Sequence, residues 1–586
     1  MFARQAALAA VALAAAVGLV AGAAPATTRP PTGRFDQPHR GFAPPWTVLR
    51  RGTPEQAGLD PAPIRTALAQ EDAWTRPDPG TGHPMFSGQV TLLAHDGLVV
   101  ADHASGYALR YADRQGDPLP ADRQIPMRTD TVFDLASLSK LFTSIVAVQQ
   151  LQAGRLDLNA TVASYLPEFA SHGKGAITIE QLLTHTSGLP PDPSPPLWQY
   201  PDLPSRTRAI LDTTPRNPPG STYLYSDLNM LTLQQVLQHV TGRPLDTLVR
   251  DGITGPLRMR DTMYNPPASL RPRIAAEEYE QGPGEPQRGL VWGQVHDENA
   301  WAMGGVAGHA GVFSTVADVA VLAQTILNGG TYRGHRVLSP YWVRQMLTDF
   351  NGRFPGDGHG LGFELDQRWY MGRLDSAATA GHTGFTGTTI VIDPESRSIA
   401  LQFSNRVHPT RDWGSTNRAR RAAADSLADA MAVRAPHGVP SWYSGIGDSS
   451  AATLTVPMTS RGAALSVRYS TFVDTEPGAD QVPLESSTDG GTTWQPVPVT
   501  VTGPGAPPGA QAALSGGTRS WWRAAAQLPA KHGMLRLRWR YTTDPSYTGR
   551  GVNVCGVRVS DDHGVLFDGD RDPGAFTADG WTLGGR

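Results

Sequence analysis

The apolar positions of this chain change period from segment to segment, and each change marks an element. A continuous Ala/Val/Leu run from Ala6 to Val20 follows a basic start at Arg4 and ends in the small residues Ala21, Gly22, Ala23 and Ala24. Such a run falls short of the ~20 residues that cross a bilayer, and its flanks are those of a cleaved secretory leader. Residues 1–24 are therefore expected to be a signal peptide, the mature chain to be exported without a membrane span, and the Pro/Thr/Arg-rich stretch 25–45 to be a flexible leader. Asp60 to Trp74 reads as an N-capped helix. Val90, Leu92 and Ala94 alternate up to Asp96-Gly97, and Leu98 to Ala101 follows, which predicts a hairpin closed by an Asp-Gly turn. From Ser137 to Ala153 the spacing of Leu141, Phe142, Ile145, Val148 and Leu151 is helical. Helical and loop segments continue to about Gly329. Strands are then expected at Phe363–Leu365, Thr388–Asp393 and Ser398–Ser404, before an Ala/Arg-rich helix from Ser415 to Val433.

Strands and a helix at both ends of this stretch, with helices between, predict one antiparallel sheet assembled from both ends in an α/β/α sandwich with a helical lobe, over 46–434. From about Pro436 the texture changes. Val467 to Tyr469, Leu535, Leu537, Trp539 and Tyr541, then Val552, Val554, Val557 and Val559 alternate between Gly/Pro/Thr/Asp turns. That pattern predicts an all-β, jelly-roll-like sandwich over 435–586. The length of 586 residues accommodates two such domains.

Charge and cysteine content narrow the function. With 50 basic and 53 acidic residues the net charge is −3, which disfavours a nucleic-acid partner. Cys555 is the single cysteine, so an internal disulfide, a thiolate zinc site and an iron–sulfur cluster are excluded.

The strongest chemical signal is Ser137, three residues before Lys140 at the mouth of the most amphipathic helix. The two side chains share a face one turn apart, and the helix end favours a developing alkoxide. Ser137 is then a candidate nucleophile and Lys140 its base. Only three of the 50 basic residues are lysines, and arginine is too strongly basic to take a proton. The same spacing recurs at Ser171 and Lys174, but between glycines and without an apolar helix behind it, so that pair is expected not to be desolvated. The plain alternative for Ser137 and Lys140 is a solvated first turn.

The segments FDLASLSKLFTSIVAVQQLQAGRLDLNATVASYLPEF and ITIEQLLTHTSGLP resemble the serine β-lactamase and penicillin-binding-protein family. The similarity is greatest to its class C β-lactamase, D-Ala-D-Ala carboxypeptidase and esterase branch, and it covers about Trp46 to Arg434. The resemblance implies a Ser137 acyl-enzyme on an amide or ester of a small molecule or peptide, with no cofactor. It aligns Tyr225-Ser226-Asp227 with the family's Tyr-x-Asn element, making Tyr225 a proton relay. Asp227 departs from that pattern: its charge raises the proton affinity of Lys140 and shifts the burden to Tyr225. Asn229 is a substitute amide, two residues off register. His382-Thr383-Gly384 matches the family's third element, where His382 assists proton transfer or binds a substrate carboxylate and Thr383 and Gly384 admit the substrate backbone. Backbone N–H groups of Ser137 and Phe385 form the implied oxyanion hole, each donor worth roughly 3–4 kcal/mol.

His296, Asp297, Glu298 and His309 invite a metal reading, but their spacing fits no zinc pattern, and the neighbouring glycines suggest cleft wall. No Gly-x-Ser-x-Gly elbow of an α/β-hydrolase occurs. LESSTDGGTTWQPV and LRLRWRYTTDPSYTGRGVNVCGVRV are similar to the sandwich domains of immune-inhibitor-A-type peptidases and MAM-like modules. Trp521, Trp522 and Trp539 are either core residues or a sugar-stacking platform for a cell-wall polymer or surface ligand. Two rival readings stay open: a catalytically silent scaffold that only binds, and an esterase or D-amino-acid peptidase with negligible β-lactam turnover.

Overall fold

The computed structural model describes residues 33–584, so the expected signal peptide lies outside the described residues. Asp60 accepts a hydrogen bond from the Ala62 N–H and Pro61 takes the first helical position, which starts α1 (Pro61–Trp74). Strands β1 (Gly88–His95) and β2 (Leu98–Leu109) pair around Asp96 and Gly97, whose φ values of 44° and 82° suit a tight hairpin. The helical part contains α2 (Ser139–Gln152), α3 (Asp227–Thr241), α4 (Glu298–Ala302) and α5 (Val316–Leu327). The chain then returns to the sheet with β3 (Glu364–Leu365), β4 (Ala380–Thr383), β5 (Thr388–Asp393) and β6 (Ser398–Ser404), and closes with α6 (Asn417–Ala430).

The sheet runs Arg50–Arg51, β2, β1, β6, β5, β4, β3. Its pairings are antiparallel except at the two-residue Arg50–Arg51 edge, which lies parallel to β2. Leu401 of β6 stands opposite Leu92 of β1, so the two ends of the N-terminal domain meet mid-sheet. Alternation sorts the side chains. Val90, Leu92, Ile399, Leu401 and Phe403 join α2, α3 and α5 in the larger core, while Leu93 and Ala400 face Ile64 of α1 and Ala423 and Leu427 of α6. Truncating Leu401, which is fully buried, removes about 2–5 kcal/mol.

The C-terminal sandwich comprises β7 (Ala451–Arg461), β8 (Leu465–Asp474), β9 (Leu484–Ser487), β10 (Val499–Thr502), β11 (Trp521–Leu528), β12 (His532–Thr542) and β13 (Gly551–Asp561). One sheet contains β10, β11, β8 and β13 in that order, the other β9, β12 and β7. Trp522 and Trp539 are buried in the core between them, and the Trp521 indole donates to Asp36 Oδ2 at 2.9 Å. The tryptophans are therefore not a sugar-stacking platform.

Two buried arginines dock the sandwich on the N-terminal domain. Arg519 pairs with Asp393 at 2.6 Å and donates to the Leu374 and Asp375 carbonyls, while Arg550 donates to those of Ala428 and Met431. Both guanidiniums lie over the Phe35 ring, at 4.4 and 5.2 Å. This corrects the expected flexible leader over its described part. Phe35 is buried, Arg34 bridges to Ala432, and the Ala43 N–H donates to Leu327 O at 2.8 Å. One aromatic anchor outweighs the loop-like composition around it.

Candidate active site

Ser137 sits in a 3-10 turn, Ala136–Leu138, ahead of α2, so the α-helix proper begins two residues later than the apolar spacing suggests. Ala136 before it adopts φ 46°, a conformation rare for a residue with a Cβ. Asp134 holds the turn by accepting the N–H groups of Ala136 at 2.9 Å and His296 at 2.6 Å. One turn on, the Lys140 ammonium is 1% exposed. It donates to Ser137 Oγ at 2.8 Å and to His309 O at 3.4 Å, and it meets Asp227 Oδ1 at 2.7 Å as an ion pair. Asp227 opens α3 and Tyr225 precedes it, its ring centroid 4.7 Å from Lys140 Nζ.

Burial opposes charge on Lys140, but Asp227 and Tyr225 outweigh it and hold the ammonium above the ordinary lysine range. Tyr225 is pushed up to about 12, chiefly by burial, with Lys140 pulling the other way. At neutral pH both groups therefore carry their protons, as the charge of Asp227 leads one to expect. Asn229 does not stand in as the missing amide: it is buried away from the cleft against Ser187 and His185.

His382 lies on β4 with Nδ1 at 2.8 Å from Thr383 O, and its buried Nε2 has no hydrogen-bond partner. Burial and then Lys140 press its pKa down to about 3. The ring is a neutral acceptor, which corrects the expectation that His382 binds a carboxylate: a lone pair repels an anion. At Gly384 a Cβ would come within 2.1 Å of Thr388 Oγ1 and 2.4 Å of Leu135 O, so glycine lets β4 close against the nucleophile's turn. The next residue, Phe385, is 47% exposed, and its backbone N–H has no acceptor among the described residues.

Ser137, Tyr225, His382, Thr383, Gly384 and Phe385 share one cleft of about 790 Å³. Three arginines line it as well. Arg411 is taken up by Glu278 and Glu298, whereas Arg406 and Arg420 have no acidic partner among the described residues. Arg406 donates to Phe385 O at 2.8 Å and Arg420 to Gly384 O at 2.8 Å, which fixes both cations to the loop that follows β4.

A sequence profile described as Beta-lactamase matches residues 79–425. The chain belongs to the beta-lactamase family. Membership makes it a serine hydrolase. Among curated relatives, a "Putative D-alanyl-D-alanine carboxypeptidase" of Salmonella agona (strain SL483) is 34% identical over 403 residues, 63% of this chain and 88% of that protein. Solved structures that resemble it include a penicillin-binding protein homolog from Caulobacter crescentus, with TM-score 0.48 and 24% identity over 63% of this chain and 97% of the other. A family VIII carboxylesterase gives TM-score 0.47 and 23% identity over 62% and 97%.

Within this beta-lactamase fold the suspected metal residues find partners of another kind. Polar atoms of Asp227, Asp297 and His309 lie within 4.8 Å of one another. The Lys140 ammonium already sits on Asp227 and the His309 ring on Asp297, at 2.9 Å, so a divalent ion would crowd two cations. His296 pairs with Glu278 at 2.6 Å. Sequence reasoning missed Arg406 and Arg420, since 47 arginines give no signal to single out two. It also misjudged the second Ser-x-x-Lys. Lys174 is fully buried and donates to Ser171 Oγ at 3.2 Å, because Phe169 and a pair of 3-10 turns close over it without an apolar helix.

Proposed function

We propose that this serine hydrolase is a carboxypeptidase acting on peptides that end in a free carboxylate, through an acyl-enzyme on Ser137. The observation that carries the reading is a hydroxyl 2.8 Å from a buried ammonium, in a cleft also lined by Arg406 and Arg420, which bond backbone carbonyls and form no ion pair among the described residues. A carboxylate held there gains charge-assisted hydrogen bonds of about 1.5–3 kcal/mol each. Once the Lys140–Tyr225 pair has given up one proton to solvent, it takes the Ser137 proton as Oγ attacks the scissile carbonyl, and the N–H groups of Ser137 and Phe385 receive the oxyanion. The C–N bond then breaks as the pair returns a proton to the leaving amine, and water hydrolyses the ester. Asp227 anchors Lys140, neutral His382 accepts a hydrogen bond, and Thr383 and Gly384 bound the substrate backbone. The printed name of the Salmonella relatives is in keeping with this substrate class.

Export on the leader 1–24 belongs to the same proposal. The sandwich is read as a brace for the catalytic sheet, and the buried tryptophans lend no support to a cell-wall or surface ligand on it. A fluorophosphonate or fluorescent penicillin is expected to label the wild type and not Ser137→Ala. D-Ala-D-Ala peptides are expected to be cleaved at least tenfold better with a free than with an amidated C-terminus. No label and no hydrolysis would return the silent scaffold, and equal rates on the two peptides would favour an esterase.

A further inference from the structure

Behind Lys140 the charges alternate. Lys140 meets Asp227 at 2.7 Å, Asp227 lies within 4.8 Å of His309, and His309 Nε2 meets Asp297 Oδ1 at 2.9 Å. The four groups come from α2, α3, the loop before the Val312–Ser314 strand, and the N-cap of α4, so three separate packing contacts maintain the order. Asp297 is fixed independently, since it also caps α4 by accepting the Ala300 N–H at 2.7 Å. His309 is 1% exposed, and its carbonyl accepts from Lys140 at 3.4 Å, which ties the ring's backbone to the ammonium it faces.

We propose that His309, held by Asp297, is a positioning residue that shares the Asp227 carboxylate with Lys140, so that the four groups form one charge-balanced unit. The inference rests on the reading of Lys140 as part of the proton-transfer pair. If Asp227 served Lys140 alone, its whole charge would fasten the proton that acylation must free. A second cation within 4.8 Å of Asp227 divides that charge. The groups that face His309 are Asp297 on α4, Asp227 on α3, Lys140 on α2 and Asp192 from the loop before α3. Burial opposes a charge on the ring, but Asp297 and Asp227 outweigh it and raise its proton affinity. Nδ1 is buried without a hydrogen-bond partner, so a second proton there would depend on the charges of Asp297 and Asp227 alone.

Two measurements on the full chain test this. In 15N-histidine NMR, with the His309 signal identified by its loss in His309→Gln, the wild-type ring should be an imidazolium at pH 7. Its titration midpoint should fall by about one pH unit in Asp227→Asn, a near-isosteric change. A neutral ring at pH 7, or a midpoint indifferent to Asp227→Asn, overturns the proposal. In fluorophosphonate labelling against pH, His309→Gln should move the acid limb up by about one unit and slow labelling about tenfold at pH 7. Asp227→Asn added to that variant should recover most of the loss. An equal loss in both backgrounds overturns the proposal as well. If the wild type takes no label, the Ser137 reading fails and the NMR measurement alone decides on charge sharing.

Discussion

The chain contains two serine–lysine pairs of identical spacing, and setting them side by side separates what makes a nucleophile from what merely looks like one. Both lysines are buried, and both donate to their serine, at 2.8 Å for Lys140 and 3.2 Å for Lys174. The backbones differ. Ser137 and Lys140 are joined by a 3-10 turn running into α2, whereas between Ser171 and Lys174 the chain breaks, with His172 at φ 55° and Gly173 at φ 79°. The counter-charges differ more. Asp227 sits on Lys140 itself, while Asp212 is engaged by His172 at 2.9 Å and accepts the Ser171 hydroxyl at 3.3 Å. As a result the proton affinity of Lys140 moves up, and that of Lys174 moves down through burial, with Asp212 opposing. The lysine more ready to lose its proton is thus the one outside the cleft. A depressed lysine does not by itself mark the nucleophile; Ser137, unlike Ser171, lines a cleft together with Tyr225 and Phe385, which the proposed mechanism uses.

The sharpest way to break this distinction is to delete each hydroxyl. Ser137→Ala is expected to lower hydrolysis by about 10³-fold or more and to abolish labelling, while Ser171→Ala stays within about twofold of wild type. Comparable losses in the two variants, read as kcat/KM on one peptide or ester, would make the pairs equivalent. Tyr225→Phe comes next, with an expected loss of about 10²-fold in acylation. A smaller effect follows from the protons both Lys140 and Tyr225 retain. Since one of them must leave before Ser137 can be deprotonated, acylation should rise with pH across about pH 6 to 9. A rate that falls over that window would mean that the ammonium, not its conjugate base, is the working form.

Much of this was legible along the chain, and the gaps have a common cause. The helix carrying Lys140, the hairpin at Asp96-Gly97 and the strands β5 and β6 each follow from a local period or turn residue, and the structure has them where those signals put them. Ser137 is marked by its spacing to Lys140 at a helix start, Tyr225, His382 and Phe385 by the resemblance of their segments to a family, and the four converge on one cleft. What stayed hidden depends on residues far apart in sequence. Arg420 is 36 residues from the carbonyl it binds, and Arg519 is 126 from Asp393. Phe35 looks like part of a loop until two arginines from the other domain cover it. The expectation that Lys174 is not desolvated failed for the same reason: exposure was inferred from the lack of an apolar helix, when an aromatic ring and two turns accomplish the burial.

The smallest effect expected is the most telling about Lys174. Its folded proton affinity lies below that of the unfolded chain, where a lysine titrates near pH ~10.4. The stability linked to it is therefore present above that pH and is lost as pH falls through the folded value, so at neutral pH its charge is a liability. Lys174→Met keeps the length of the side chain and removes the charge. It forfeits the hydrogen bond to Ser171 and the attraction of Asp212, and it spares the burial of an ammonium; replacing a buried cation by an apolar isostere is commonly near neutral. The variant should keep full activity with a Tm within about 3 °C of wild type at pH 7. Wild type should gain on it as pH rises from neutrality towards about 10.4, as its ammonium is neutralised. Thermal denaturation of the two proteins at both pH values checks the sign. A variant that loses hydrolysis would show Lys174 to be coupled to the cleft, and would leave the helix start at Ser137 as the weaker part of the distinction.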